Sequence, residues 1–215
     1  MMEYFRYLLL IFIFACPVEL RAEYSQEAVS YFLTTALGSE YGNKNPMIKK
    51  WNQNLRIVVK GNPKAEDLQT LRQVVGDLNS LVQPIQLQFS SDRPNVTIYF
   101  VPVSQFKSYL KEYVPGNMGF AYILWDGAYN IYEATVLIST EKITQLERNH
   151  LIREELTQSL GLLNDSFIYP DSIFYQKWTQ VQTYAPIDRK VIQILYDPKI
   201  KPGMKRQKAR KVLGY

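Results

Sequence analysis

Apolar residues recur along this chain in two rhythms, one suited to helices and one to strands. From Ser25 to Gly38, Ala28, Val29, Phe32, Leu33 and Ala36 fall on a single stripe at helical spacing. Leu55-Arg56-Ile57-Val58-Val59 is a short run that predicts a buried strand. Pro63 opens a second helix reaching about Val82, ordered by Leu68, Leu71, Val75, Leu78 and Leu81. Ile85 to Phe89 alternates as a half-buried strand does, Val96 to Phe100 predicts the next strand, and Ser104 to Tyr113 a short helix. Phe120 to Trp125 and Ile131 to Ser139 predict two strands joined at Asp126-Gly127, a turn signal. Thr144 and Glu147 match a capping box, which starts a long helix from about Gln145 to Leu160. Gly161 suits the left-handed position after that helix. Asp188 to Tyr196 is a further helix, stopped by Pro198. This order predicts an α+β fold, with the sheet ahead of one long helix and an irregular C-terminal part.

Composition changes the picture mainly at the two ends. Arg6 followed by the apolar run of residues 7–15 has the dimensions of a secretory signal, too short to span a bilayer as a helix. Residues 1–22 are therefore set apart from a single domain over 23–215. Two processing routes stay open: cleavage after Leu20-Arg21-Ala22, or acylation of Cys16 after Ile13-Phe14-Ala15, which would anchor the protein to a membrane. Either route places the protein in the periplasm or cell envelope. Cys16 is the only cysteine, so the domain has neither a disulfide nor a thiolate ligand. The net charge is +5, yet residues 199–215 hold seven basic residues and no acid, and without them the net charge is −2. The basic character thus belongs to the tail, read most simply as a solvated C-terminal helix. Export argues against a nucleic-acid partner.

The candidate chemistry sits on the long helix. Glu154, Gln158 and Gly161 are spaced i, i+4, i+7 and share one face, while Ile152, Leu156 and Leu160 lie opposite and would dock on the sheet. Glu155 sits about 100° round from Glu154. Two adjacent carboxylates beside a carboxamide make an oxygen-rich patch. His150, the only histidine, stands four residues before Glu154, so a pair between them is open; the simpler expectation is a partly exposed helix residue. Asp165 offers a site oxygen shifted by one position; the simpler expectation is that it caps the turn at Asn164-Asp165-Ser166.

Glu154 to Asn164 has the spacing of the zinc-peptidase motif H-E-x-x-H-x-x-G-x-x-H, with Glu154, Gln158 and Asn164 in place of the three histidines and Glu155 and Gly161 retained. Residues 150–197 resemble the catalytic half of the metzincin peptidases, the matrixins most closely. Leu160-Gly161-Leu162 matches their L-G-L, Asp171 to Tyr175 sits where they carry the Met-turn with Phe174 in the methionine's place, and Asp188 to Tyr196 is similar to their last helix. A closer resemblance is to a bacterial family, the domain of unknown function 2927. It is carried by Glu154 to Ser166, Tyr169 to Phe174, Ile187-Asp188 and Leu195 to Met204.

The resemblance implies a zincin-like fold, with Gly161, Phe174 and Asp188 in structural roles and the helix face turned into a cleft. It also implies that an extended peptide adds to the edge strand over 120–125, where Tyr122 and Trp125 would touch it. Zinc is not expected, because Gln158 and Asn164 offer only neutral amide oxygens; a Glu, Gln, Asn set would prefer a hard cation such as calcium, magnesium or manganese. Without zinc, Glu155 has no activated water to work with. Three functions follow: an exported pseudo-peptidase that binds an extended peptide or envelope component, a hydrolase using Glu154 and Glu155 with a hard cation or as an acid/base pair, or a structural envelope lipoprotein. In each case Glu154, Glu155, Gln158 and Asn164 are expected as one polar cluster.

Overall fold

Burial orders the strands much as the sequence rhythm does. The computed structural model describes residues 23–38 and 46–215, so the signal segment and Cys16 lie outside the described residues. In chain order the strands are β1 (Lys50–Trp51), β2 (Leu55–Gly61), β3 (Leu87–Phe89), β4 (Val96–Val101), β5 (Gly119–Trp125) and β6 (Asn130–Ser139). The α-helices are α1 (Gln26–Leu37), α2 (Ala65–Asn79), the short α3 (Phe106–Tyr109), α4 (Gln145–Gln158), α5 (Pro186–Tyr196) and α6 (Arg206–Val212). The described fold is therefore mixed α/β, with a six-stranded sheet.

β2 pairs in parallel with β3 on one side and with β4 on the other, and β4 pairs in parallel with β6. The connection from β2 through α2 to β3 is a βαβ crossover, the only short way to join parallel neighbours. β6 carries β5 antiparallel along one edge; its other edge holds β1 at the start and β4 at the end. Asp126 closes the β5–β6 hairpin, its carboxylate accepting from the backbone N–H of Ala128 and of Asn130, both at 2.9 Å. Tyr129 takes the left-handed conformation there (φ 66°), and the register shifts between Leu124 and Trp125.

β5 alternates its faces. Phe120 packs with Phe106, Leu110, Tyr113 and Leu137 in a small core, while Ile123 joins the main one. That main core is built from α2 (Leu71, Val74, Leu78), α4 (Ile152, Leu156) and the sheet (Ile57, Ile98, Val136). The same core extends to α1, α5 and the turn after α4 through Phe32, Ile192 and Leu162.

α4 is buried on nearly every side although its sequence is polar; His150 through Thr157 are all buried. It starts at the capping box of Thr144 and Glu147. Arg148 and Arg153 leave the helix towards α2, where they meet Asp67 at 3.5 Å and Asp77 at 2.7 Å. The helix ends at Gln158 with Ser159 as cap, slightly short of the expected Leu160. Trp51 Nε1 donates to the Ser159 carbonyl at 2.9 Å, satisfying one of the open acceptors of the helix end. Gly161 follows with φ 115°, and a Cβ there would collide with the Lys49 carbonyl oxygen, so β1 can approach only a glycine.

The C-terminal tail is not the solvated helix expected from its charge. α6 docks on α1 through the buried Ala209, with Leu213 buried just beyond its end. Arg206 donates to the Leu33 carbonyl at 3.0 Å, and the Tyr215 hydroxyl donates to the Tyr24 carbonyl. Apolar positions four apart, hidden among basic residues, dock the helix.

Candidate active-site cleft

A cavity of about 670 Å³ lies between β5 and α4. Its strand wall runs from Gly119 to Ile123 and ends at Trp125, its floor includes Glu154, Glu155 and Gln158, and the segment Tyr175 to Thr179 forms a strap along the opposite side. Helical spacing puts the floor residues together: Glu154 and Gln158 are one turn apart, and Glu155 is next round the helix towards β5. Gly119 lets Glu155 come close to the strand. A Cβ at Gly119 would stand 2.5 Å from Glu155 Oε1, so any larger residue would push the carboxylate back.

Among the described residues, no strand pairs with the other side of β5. Met118 O accepts from Ser139 N, so Met118, Phe120 and Tyr122 turn their main-chain groups towards β6. The N–H and C=O groups of Gly119, Ala121 and Ile123 point the opposite way, and no hydrogen bond among the described residues engages them.

His150 is buried at 4% exposure, which corrects the expectation of a partly exposed residue. Its Nδ1 lies 3.0 Å from the Val181 carbonyl, which can only accept, so this nitrogen carries a proton. Its Nε2 lies 3.3 Å from Glu154 Oε2 and 3.1 Å from Thr179 Oγ1. Burial alone pushes the imidazole pKa down, and the Arg153 charge adds to that. The bond to Glu154, the Glu154 charge and the Val181 carbonyl together outweigh both, so the pKa is raised above 6.5. The same bonds tie the strap to α4, helped by Trp178 Nε1 donating to Glu147 Oε1 at 2.7 Å and Gln182 Nε2 to the Leu146 carbonyl at 2.9 Å.

Three of the four expected cluster residues come together; Asn164 does not. Its Nδ2 donates to the Thr34 carbonyl at 3.2 Å and to the Asp165 carbonyl at 2.8 Å, and its side chain fills the space beside Gly38. The chain after Gly161 turns so that Asn164 faces α1 and Asp165 faces the cavity. Asp165, expected first as a turn cap and otherwise as a site oxygen shifted by one position, accepts from Gln158 Nε2 at 2.9 Å and lines the cavity. Tyr122 and Trp125 line it as well, and Lys49 Nζ lies 4.6 Å from the Trp125 ring centroid. Phe174 is fully buried in the main core. Asp188 sits at the start of α5, accepting from Ser172 Oγ at 2.6 Å and from the backbone N–H groups of Ile173 (3.1 Å) and Ala185 (2.9 Å). Burial pushes its carboxyl up to about 6 against the opposing pull of those bonds.

Gln158 turns its amide nitrogen to Asp165, Glu154 is engaged by His150, and Asn164 is directed at α1. Sequence reasoning missed Gly119 and the strap, and it assigned Asp165 first to the turn. The i, i+4 spacing of His150 and Glu154 was a usable signal for their pair. An irregular strap has no periodicity to read, and a glycine at a strand's first residue does not announce what approaches it.

The family described as protein of unknown function (DUF2927) matches residues 25–214. No curated protein matches the chain. A solved structure, "Structure of Myroilysin", aligns with a TM-score of 0.46 and 8% identity, covering 70% of this chain and 83% of that one.

Proposed function

The chain belongs to that family of unknown function, and on this footing we propose that it is a zincin-like domain without zinc that binds an extended peptide along β5. One observation carries the reading: the outward main-chain groups of Gly119, Ala121 and Ile123 border the cavity and are unengaged among the described residues. A strand edge beside a cleft is what an added peptide strand requires, with main-chain bonds giving affinity and side-chain pockets giving choice. The frame Glu154-Glu155-x-x-Gln158-x-x-Gly161 under an antiparallel edge strand supports the zincin-like reading. Binding is favoured over hydrolysis because none of Glu154, Gln158 and Asn164 is an imidazole of the kind that holds a water-activating zinc. Export belongs to the same proposal, with residues 1–22 removed or Cys16 acylated; the mass of the mature protein from its host tests it.

The binding test starts from selection in a random octapeptide display library, followed by titration of the selected peptides against tryptophan fluorescence, since Trp125 and Trp178 both line the cavity. Ala121→Pro deletes an N–H that makes no bond within the sheet and so spares the β5–β6 ladder. Its expected effect is a loss of affinity of about tenfold, the worth of one main-chain bond and its neighbours. If Ala121→Pro does not fold, Trp125→Ala takes its place, with a similar loss expected. Failure to select any peptide, or equal binding by the folded variant and wild type, overturns the proposal.

A further inference from the structure

We infer that the basic face of α6 docks the domain on a surface of anionic phospholipid headgroups; this stands apart from strand addition at β5. The packing of α6 on α1 through Ala209, with Leu213 buried just beyond, fixes which way its charges point. At about 100° per residue, Lys208 and Lys211 lie on the side away from those two apolar residues, and Arg206 and Arg210 flank the docked face. With Lys201 and Lys205 ahead of the helix, these six cations are all exposed. None of the six forms an ion pair with a described residue. Acids on the adjoining segments have partners of their own: Glu23 has Lys199, Asp197 has the Tyr24 hydroxyl, and Glu27 has the Tyr169 hydroxyl. Without the basic residues of 199–215 the chain carries a net charge of −2, so α6 and its approach are the part that an anionic surface attracts.

Charge alone suits any polyanion; the position of the face favours a membrane. The chain enters the described domain at Glu23, and Lys199 and Tyr215 tie Glu23 and Tyr24 to the tail. Cys16 precedes Glu23 by seven residues, and the apolar run of 7–15 comes directly before it. An extended chain covers at most about 3.6 Å per residue, so a bilayer that held Cys16 would lie within about 25 Å of Glu23. A single acyl chain gives only marginal membrane binding, and a polybasic patch is a second signal that makes it stable. The face also has a place for a phosphate group. Arg206 and Arg210, one turn apart, border a recess of about 80 Å³ with Gln26 and Ser30 of α1 and with Tyr215. Guanidinium forks match phosphate oxygens in charge and in geometry.

The test uses the protein isolated from its host. It measures partition onto vesicles of phosphatidylcholine alone and of phosphatidylcholine with about one-third phosphatidylglycerol. An acyl chain would hold the protein to both, so the ratio of the two partition coefficients reads the charge. That ratio is expected to be at least about tenfold in favour of the anionic vesicles, and to fall as salt is added. Lys208→Glu with Lys211→Glu, checked for unaltered thermal unfolding, should lower the ratio by about tenfold or remove it. Lys60→Glu with Lys111→Glu changes the net charge equally at exposed positions on β2 and after α3, and should leave most of it. If the α6 pair does not fold, Lys208→Gln with Lys211→Gln replaces it, with a smaller loss in the same direction expected. Equal partition onto the two kinds of vesicle, or an equal loss in the α6 and control variants, overturns the inference. So does tighter binding to a mixed-sequence single-stranded oligonucleotide than to the anionic vesicles at equal phosphate concentration, which would make the face a nucleic-acid surface.

Discussion

His150 shows how one residue can be placed correctly in a helix and misjudged in its surroundings. Position i−4 from Glu154 was legible; burial was not, because the strap that covers it is irregular and contributes Thr179 and Val181 from about thirty residues away. The pair has a definite pH dependence. A histidine whose pKa is raised by folding binds its proton more tightly in the folded state, so the stability it contributes is complete below about 6.5 and fades as pH rises through the folded value. Glu154→Gln removes the charge that holds the proton. The variant is expected to be less stable than wild type by on the order of 1 kcal/mol at about pH 6, with a smaller difference at about pH 8.5. Urea unfolding at the two pH values measures this, and a difference that does not change with pH would mean that the imidazole is neutral throughout. Asn164 and Asp165 carry the same lesson in reverse. Motif spacing selects position 164, but the left-handed turn at Gly161 decides which of two neighbouring side chains faces the cavity, and spacing contains no information about that rotation.

At the scale of elements, α4 is the piece that sequence described best in extent and least in environment. Its capping box and its apolar positions Ile152 and Leu156 were readable, while its polar positions suggest a solvated face. Arg153 is instead 1% exposed, lies over the Tyr184 ring at 4.7 Å, and meets Asp77 on α2. No periodicity within a single helix names a partner on another. The two arginines that join α4 to α2 are not equally secured. Arg148 has the carbonyls of Ser139 (3.0 Å) and Thr140 (2.9 Å) besides Asp67, whereas Arg153 Nε finds no partner among the described residues. Asp77→Ala therefore leaves a buried guanidinium poorly compensated. Its expected cost is about 3 kcal/mol, at the low end for a broken buried pair because the Asp77 side chain is 36% exposed. Adding Arg153→Met, which removes the charge along with its need for a partner, should recover part of that loss in denaturant unfolding. A double variant no more stable than Asp77→Ala would show that Arg153 contributes through packing rather than through charge.

At the scale of the whole molecule, the two ends of the described domain are fastened together, and that fastening was hidden behind the charge of the tail. The strand and helix order was legible because each element is long enough to show its period; β1, with two residues, is not. The parallel pairing of β2, β3 and β4 was less visible, since short runs do not state their direction. The tail misled for a different reason. Seven basic residues dominate any count, while docking needs only Ala209 and Leu213, one helical turn apart. Around them, Lys199 Nζ meets Glu23 Oε2 at 3.1 Å and the Tyr24 hydroxyl donates to Asp197 Oδ2 at 3.0 Å, so the C-terminal segment also holds the start of the domain. Two substitutions to glutamate on α6 separate docking from electrostatics. Ala209→Glu forces a carboxylate into the α1–α6 contact and is expected to cost about 3 kcal/mol. Lys208→Glu, on the exposed side of the same helix, changes the charge by two rather than one and is expected to stay within about 0.5 kcal/mol. Thermal unfolding of the two variants beside wild type decides the matter. If Lys208→Glu proves the more damaging, the tail is held by its charge after all, and the buried pair of apolar residues is incidental to its docking.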